Sequence, residues 1–404
     1  MKPKAGLQVA HESPGGRAPK RANGEGGIRQ RKDGRYEARL TLADGTRWSI
    51  CHQSREKVAS ALAKAITDRN DGLPVRVDGK QTLKQFLEAW LTAIKGSVRP
   101  ATFDGYNNYV HTHIIPCLGK TRIAKLTPQQ LQAFYSKKLG EGLSPTTVRH
   151  IHGALHRALK QATRWGVVGR NVADLVDPPR RARHEMKALS TSQARQLLEA
   201  AAGDRLEALY VLAITTGMRQ GELLALRWQD VDLDGGTLQV RSTVQRVKDG
   251  LLFGEPKTAS GRRRIALAPA AVAALRHHHV SQAEGRLKAG PAWQDNDLVF
   301  PNTFGRAMEA TNLLHRSFTP LLERAGLPKM RFHDLRHTAA TLLLSKKVPV
   351  KVVSEMLGHA QVGVTLAVYS HVLPDMQREA TAASAGCFVG IRNDRWGQYW
   401  GQLP

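Results

Sequence analysis

HDLRHTAAT, residues 333–341, places two histidines four apart with an acid directly after the first. On a helix His333 and His337 share one face. The spacing is close to the H-E-x-x-H pattern by which metalloproteases hold zinc. Two features weaken that zinc reading. Asp334 is one methylene shorter than the glutamate that such a site uses as base, and a third ligand would have to be Glu355 or His359, neither at a diagnostic spacing. Arg336 also sits three residues after His333, and a permanent guanidinium is a poor neighbour for a metal but a good one for an anion. Whether this helix grips a metal ion or a phosphate is decided by what else the chain brings to it.

Three more stretches of the same C-terminal region carry groups suited to a phosphodiester. In TTGMRQGELLAL (215–226) Arg219 follows a glycine-containing break, and Glu222 comes one helical turn later, placed to brace it. A plain surface pair is the alternative. In PKTASGRRRIAL (256–267) Lys257 stands in a turn ahead of a strand, where a flexible amine reaches a groove or is simply solvated. SEMLGHAQVGVTLAVYSHV (354–372) supplies His359 and, ten residues on, Tyr369, which alone would pass for a core tyrosine with a wet hydroxyl.

Together these residues form a metal-free site for phosphoryl transfer. Guanidinium forks from Arg219 and Arg336 bind phosphate oxygens bidentately and stabilise the charge of an in-line displacement. Tyr369 is the nucleophile. Ionising a phenol at pH 7 costs about 4 kcal/mol, which His333 as base and the arginine field would offset. The departing alkoxide needs a proton, and Lys257 is a suitable general acid. His359 adds a hydrogen bond to the phosphate, and His337 is left as a packing or supporting residue.

On these four stretches, TTGMRQGEL, PKTASGRRRIAL, HDLRHT and LGH…Y, the chain resembles the tyrosine recombinases of the phage-integrase type. The resemblance implies a catalytic set of Arg219, Lys257, His333, Arg336, His359 and nucleophile Tyr369, with Glu222 in support and no metal or other cofactor. It implies that Tyr369 attacks a DNA phosphate, forms a 3′-phosphotyrosyl bond and frees a 5′-hydroxyl; the 5′-hydroxyl of a partner strand then reverses the step without ATP. It further implies double-stranded attachment sites as partners and a homotetramer on two duplexes, with a DNA-bending host factor and an excisionase as further candidates. The segment after Tyr369, about residues 371–390, would then contact a neighbouring protomer.

Composition agrees with a polyanion partner. The 404 residues carry a formal charge of +26, far beyond what solubility needs, beside 41% hydrophobic residues, enough to fold. No apolar run approaches the roughly 20 residues of a membrane span, and the basic N-terminus lacks the apolar core of a secretory signal. Cys51, Cys117 and Cys387 are few and scattered, as in a reducing compartment. These features point to a cytoplasmic, nucleoid-associated bacterial protein with no membrane partner.

The expected fold is multidomain, mainly α with small β parts. Residues 1–22 are a disordered basic tail. Residues 23–71 hold three strands separated by Asp33-Gly34 and Asp44-Gly45 turns, closed by a helix that Ser54 caps and that aligns Val58, Leu62 and Ile66. Tyr36, Ala38, Leu40 and Leu42 alternate with Glu37, Arg39 and Thr41. Arg29, Arg31, Arg35, Arg39, Arg47 and Trp48 decorate these strands, as in a DNA-contacting ribbon or a solvated basic face. By resemblance this is an arm-site-binding domain, which favours an integrase of a phage or mobile element over a chromosome-dimer resolvase.

After a linker, residues 80–177 are a helical, SAM-like core-binding domain. Its last helix, capped by Ser144, sets Val148, Ile151, Leu155, Leu159 and Ala162 on one face and Arg149, His152, His156, Lys160 and Arg164 on another. The second face would contact backbone phosphate or be merely solvated. The catalytic domain, 184–380, is the mixed α+β kind shared with type IB topoisomerases, with strands expected at 237–243 and 263–267. A tail, 381–404, follows. Besides the zinc hydrolase, to which His277, His278 and His279 offer a second cluster, two rivals remain. One is a DNA-binding regulator that kept the fold without activity; the other is a type IB topoisomerase.

Overall fold

A computed structural model describes residues 26–42, 45, 47–71, 80–180, 187–256, 258–369 and Ser384. The chain divides into two compact units, residues 1–182 and 183–404. The expected tails at 1–22 and 381–404 and the protomer-contacting segment 371–390 lie outside the described residues, apart from Ser384.

The first unit contains two separate apolar clusters. The smaller belongs to an antiparallel sheet, β1 (Gly27–Gln30), β2 (Tyr36–Thr41) and β3 (Arg47–His52), paired in the order β1-β2-β3 and backed by α1 (Arg55–Asn70). Ser54 accepts from the Lys57 amide and caps α1. Ala38 and Leu40 of β2 pack against Val58, Leu62 and Ala65, with Ile66 half-buried beside them. Two residues differ from expectation, Glu37 in its burial and Trp48 in the face it occupies. Glu37 is on the outer face yet buried, because Arg29 (2.7 Å) and Arg39 (3.1 Å) close over its carboxylate. Trp48 pairs with Leu40 and joins the inner cluster instead of the arginine face.

The second cluster is all helical: α2 (Leu83–Ile94), α3 (Pro100–Asn108), a π-turn at Tyr109–Ile114 leading into α4 (Ile115–Leu118), α5 (Pro128–Gly140) and α6 (Pro145–Arg164). Pro100, Pro128 and Pro145 each occupy the first turn of a helix, where a missing amide costs nothing, whereas Pro116 directly follows the π-turn in a continuous helical run. Thr82 with Gln85 and Thr127 with Gln130 form reciprocal capping boxes. The apolar stripe of α6 is buried as its spacing requires.

In the second unit α7 (Thr191–Ala201) precedes α8 (Glu207–Thr216), a helix apolar on nearly every side and therefore interior. A single turn, α9 (Gln220–Leu223), leads to β4 (Val231–Asp232), β5 (Thr237–Val240), β6 (Thr243–Val247), β7 (Gly250–Gly254) and β8 (Arg263–Ala266). Strands β4-β5-β8 form one antiparallel sheet, and β6-β7 a separate hairpin. The segment expected as one strand, 237–243, thus divides at Arg241-Ser242. Burial of Leu238, Val240 and Val244 keeps period two across the break, so alternation alone cannot reveal the change of sheet.

Then come α10 (Pro269–Ala289), α11 (Ala310–Leu313), α12 (Thr319–Arg324), α13 (Asp334–Ser345), α14 (Val350–Leu357) and α15 (Val362–Tyr369). Helices α7, α10 and α13 all pack on α8. The His277–His279 run lies on α10, where His278 is buried and its Nε2–H donates to the Val299 carbonyl at 2.6 Å, while His277 and His279 are exposed. Among the described residues no helix is long and apolar enough to cross a membrane.

Candidate active site

Two left-handed glycines set the frame. Helix α8 ends at Gly217 (φ 63°) and α14 at Gly358 (φ 70°), the usual residue for a helix C-terminus. Both are confined as well. A Cβ on Gly217 would meet Leu357 Cδ2 at 2.4 Å, and one on Gly358 would meet the Ser260 carbonyl at 2.8 Å. The carbonyl oxygens of these glycines each receive an arginine of the expected site. Arg336 Nη1 donates to Gly217 at 2.8 Å, and Arg219 Nη2 donates to Gly358 at 3.2 Å.

Arg219 caps the start of α9, and Glu222 answers it from the third helical position. The Arg219 amide and Nη1 both donate to the carboxylate, at 3.0 and 2.7 Å. Glu222 Oε2, which accepts the Arg219 amide, also receives Arg263 Nη2 at 2.9 Å, and Arg263 Nε donates to the Met356 carbonyl at 2.6 Å. Burial works against the charge on Glu222. The hydrogen bonds and charge of Arg263, then the amide and side chain of Arg219, outweigh it and hold the carboxyl below the usual carboxylate range. One carboxylate therefore binds α9 to β8, and through Arg263 to the end of α14.

His333 stands at the start of α13, its ring edge-on to His337 with centroids 5.2 Å apart. Burial, then the neighbouring His337 and Arg336, push its pKa down to about 4. His359 follows Gly358 directly. Burial, then the charges of Arg336, Arg219 and Arg263, push it down to about 4 as well, and its Nδ1 lies 2.7 Å from the Thr365 hydroxyl. Both rings are neutral at pH 7, so His333 is free to accept a proton. Asp334 is engaged by the Arg331 amide and Nη2, each at 2.9 Å. It caps the helix start, and its charge also acts on His333 and His337, favouring the protonated form of each against the larger effect of burial. Among the described residues no three His, Cys, Asp or Glu side chains group as metal ligands.

The chain has known relatives. The profile described as "Phage integrase family" matches residues 187–376, and that of the "Phage integrase, N-terminal SAM-like domain" matches residues 82–139. A XerC-like tyrosine recombinase of Caldanaerobacter subterraneus subsp. tengcongensis is 31% identical over 329 residues, 76% of this chain and 84% of the relative. The chain belongs to the phage integrase family of tyrosine recombinases. An integrase of Streptomyces ambofaciens is 28% identical over 390 residues, covering 92% of the recombinase described here and 98% of that integrase. In fold, the Tn1549 transposon integrase, solved in complex with transposon right end DNA, superposes with a TM-score of 0.65 at 23% identity, over 76% of this chain and 100% of the other.

Within the recombinase, Arg219, Glu222, His333, Arg336 and His359 form one cluster. Tyr369 is the last residue of α15, and Lys257 lies outside the described residues. Arg29 and Arg39 flank Glu37 on the outer face of the N-terminal sheet, Arg31 Nη1 donates to Cys51 Sγ at 3.4 Å, and Arg47 is exposed. On α6, Lys160 and Arg164 are exposed and line a groove with Arg170, whereas Arg149 is half-buried and donates to the Pro179 carbonyl at 2.9 Å. His152 turns to Tyr135 (3.0 Å), and His156 lines the same groove as Lys160 while it engages Asp174 (2.7 Å). Sequence reasoning passed over Arg263 and Thr365. Arg263 was one of three adjacent arginines with nothing to single it out; the alternation of β8, which buries Ile265 and turns Arg263 to the same side, was the available signal.

The neutral histidines give a pH prediction for the recombinase. With DNA below saturation the cleavage rate reports groups of the free enzyme. No loss of rate from these two imidazoles is expected between pH 8 and about 5, because each protonates only near 4. Both bind protons more readily when unfolded, so stability falls as pH drops from about 6.5 towards the folded values. A rate profile that halves near pH 6.5 would contradict the burial of both rings.

Proposed function

We propose that this chain is a site-specific DNA recombinase of a phage or other mobile element, cutting and rejoining attachment sites through Tyr369. The observation that carries the reading is the convergence of two arginines and two neutral histidines on the carbonyl-tethered ends of α8 and α14. Arg219 and Arg336 hold the non-bridging oxygens of the scissile phosphate, and His359 donates to one of them. The Tyr369 oxygen attacks phosphorus and its proton passes to His333. The bond to the 5′-oxygen breaks as Lys257 protonates the leaving group. The phosphotyrosyl bond conserves the energy of the link, so a second 5′-hydroxyl reverses the steps with neither metal nor ATP.

In this reading residues 23–71 bind arm sites through Arg29, Arg31, Arg39 and Arg47. Residues 80–177 bind the core site through Arg149, Lys160 and Arg164, and residues 184–380 catalyse. Four protomers act on two duplexes, with a host bending factor and an excisionase setting direction. Arg29 and Arg39 each share Glu37, so they would have to exchange part of that contact for phosphate.

The test is a pool of nicked duplexes with randomised cores, incubated with the full chain and then denatured. A protein–DNA adduct that is lost in Tyr369→Phe, while gel-shift binding persists, is expected. Sequencing the trapped strands gives the core site. If the wild type yields no adduct that survives denaturation, the enzymatic reading falls and a DNA-binding regulator takes its place. Supercoil relaxation on any sequence would favour the topoisomerase.

A further inference from the structure

Thr365 is buried completely, and its hydroxyl lies 2.7 Å from His359 Nδ1. It sits within α15, one helical turn before Tyr369, the last residue of that helix. Helix α15 packs on α14, whose C-terminal glycine adjoins His359. A side-chain hydrogen bond thus joins the helix that carries the proposed nucleophile to the imidazole proposed to bind the phosphate.

The chemistry of a neutral imidazole makes that bond directional. The ring carries one N–H, and the nitrogen that bears it is set by the partner of the other nitrogen. If the Thr365 hydroxyl donates to Nδ1, the proton resides on Nε2, on the far side of the ring, ready to donate to a phosphate oxygen. The opposite assignment would turn an Nε2 lone pair towards that oxygen and repel it. In the free protein, burial and the charges of Arg336, Arg219 and Arg263 hold the ring neutral, so the choice between tautomers arises there.

We propose that Thr365 is a positioning residue that selects the Nε2–H form of His359 only when α15 is docked, so that placement of the nucleophile helix and completion of the phosphate site are one event. Without the docked helix, His359 would sample both tautomers and the site would be part-built. The inference rests on the recombinase reading above, and on no other property of α15.

The experiment compares Thr365→Val, which keeps the shape and removes the hydroxyl, with Thr365→Ser, which keeps the hydroxyl and removes a methyl. Single-turnover adduct formation and gel-shift affinity are measured with the full chain on a nicked duplex carrying the core sequence recovered from the randomised pool. Loss of the partner that orients a metal-ligating histidine is worth roughly 10-fold or more, and a similar scale is taken for His359. Thr365→Val is expected to slow cleavage by about that factor at unchanged affinity, while Thr365→Ser stays within about 2-fold of wild type. In a His359→Ala background Thr365→Val should add no further loss. The inverse pattern, a fast valine and a slow serine variant, would mean that Thr365 only fills space and would overturn the proposal. So would an additive loss in the His359→Ala background. A wild type that forms no adduct would instead bring down the recombinase reading itself.

Discussion

Arg336→Lys is expected to lower the single-turnover cleavage rate by about 100- to 1,000-fold, the usual effect of removing one donor aimed at transition-state charge. The side chain is only 4% exposed, and one arm of its fork is committed to the Gly217 carbonyl. A guanidinium has five N–H donors in a rigid plane, so it can hold that carbonyl and still present a second arm to a phosphate oxygen. A lysine ammonium keeps the charge but is a point donor on a flexible stem. It can satisfy the carbonyl or follow the phosphate, and it does neither with fixed geometry. DNA affinity should change far less than the rate, because most of the binding charge lies elsewhere in a chain of +26. Equal losses in affinity and rate would assign Arg336 to binding alone. Retention of more than about a third of the rate would remove it from the catalytic set.

Glu222→Ala should be the most destabilising single change in the cluster, at about 3–5 kcal/mol, the cost of breaking a buried ion pair from one side. The penalty comes mainly from Arg263, whose side chain is 7% exposed against 2% for Glu222. The Arg219 side chain is 39% exposed, so water screens its share. Native-state hydrogen exchange at the amides of α9 and β8 measures this effect where it occurs. Glu222→Gln keeps one acceptor and should lose less.

The pH dependence follows from the lowered carboxyl. Its contribution is complete above the ordinary glutamate value, about 4.3, and is lost as pH falls through the lower folded value. The gap between wild type and Glu222→Gln should therefore narrow in acid. A gap that widened as pH fell would contradict the sign of the shift.

Much of the architecture was legible because it is local. The caps at Ser54 and Ser144, the Asp33-Gly34 turn and the α6 stripe depend on residues a few positions apart. The β6-β7 hairpin carries the same kind of signal, Asp249-Gly250, and was open to the same argument. The partners of the site are of another kind. Arg263 meets Glu222 across 41 residues, Arg336 meets Gly217 across 119, and Arg219 meets Gly358 across 139. No periodicity within a helix or strand encodes such pairings. The same limit explains Glu37, assigned to the wet side by alternation and buried by two arginines, one of them on the neighbouring strand. It also explains His152 and His156, which a charge stripe counted as basic surface and whose partners, Tyr135 and Asp174, lie on other elements.

The tethering of Arg219 and Arg336 to main-chain oxygens has a consequence for how the family can vary. A carboxylate tether can be deleted by one codon change, whereas a carbonyl is present whatever residue follows. No substitution at 217 or 358 removes the acceptor; it can only displace it, by forcing a Cβ where Leu357 or Ser260 already sits. The anchors are thus written in backbone conformation and in empty space. Related chains can exchange most of the surrounding side chains without losing them, provided the two glycines remain.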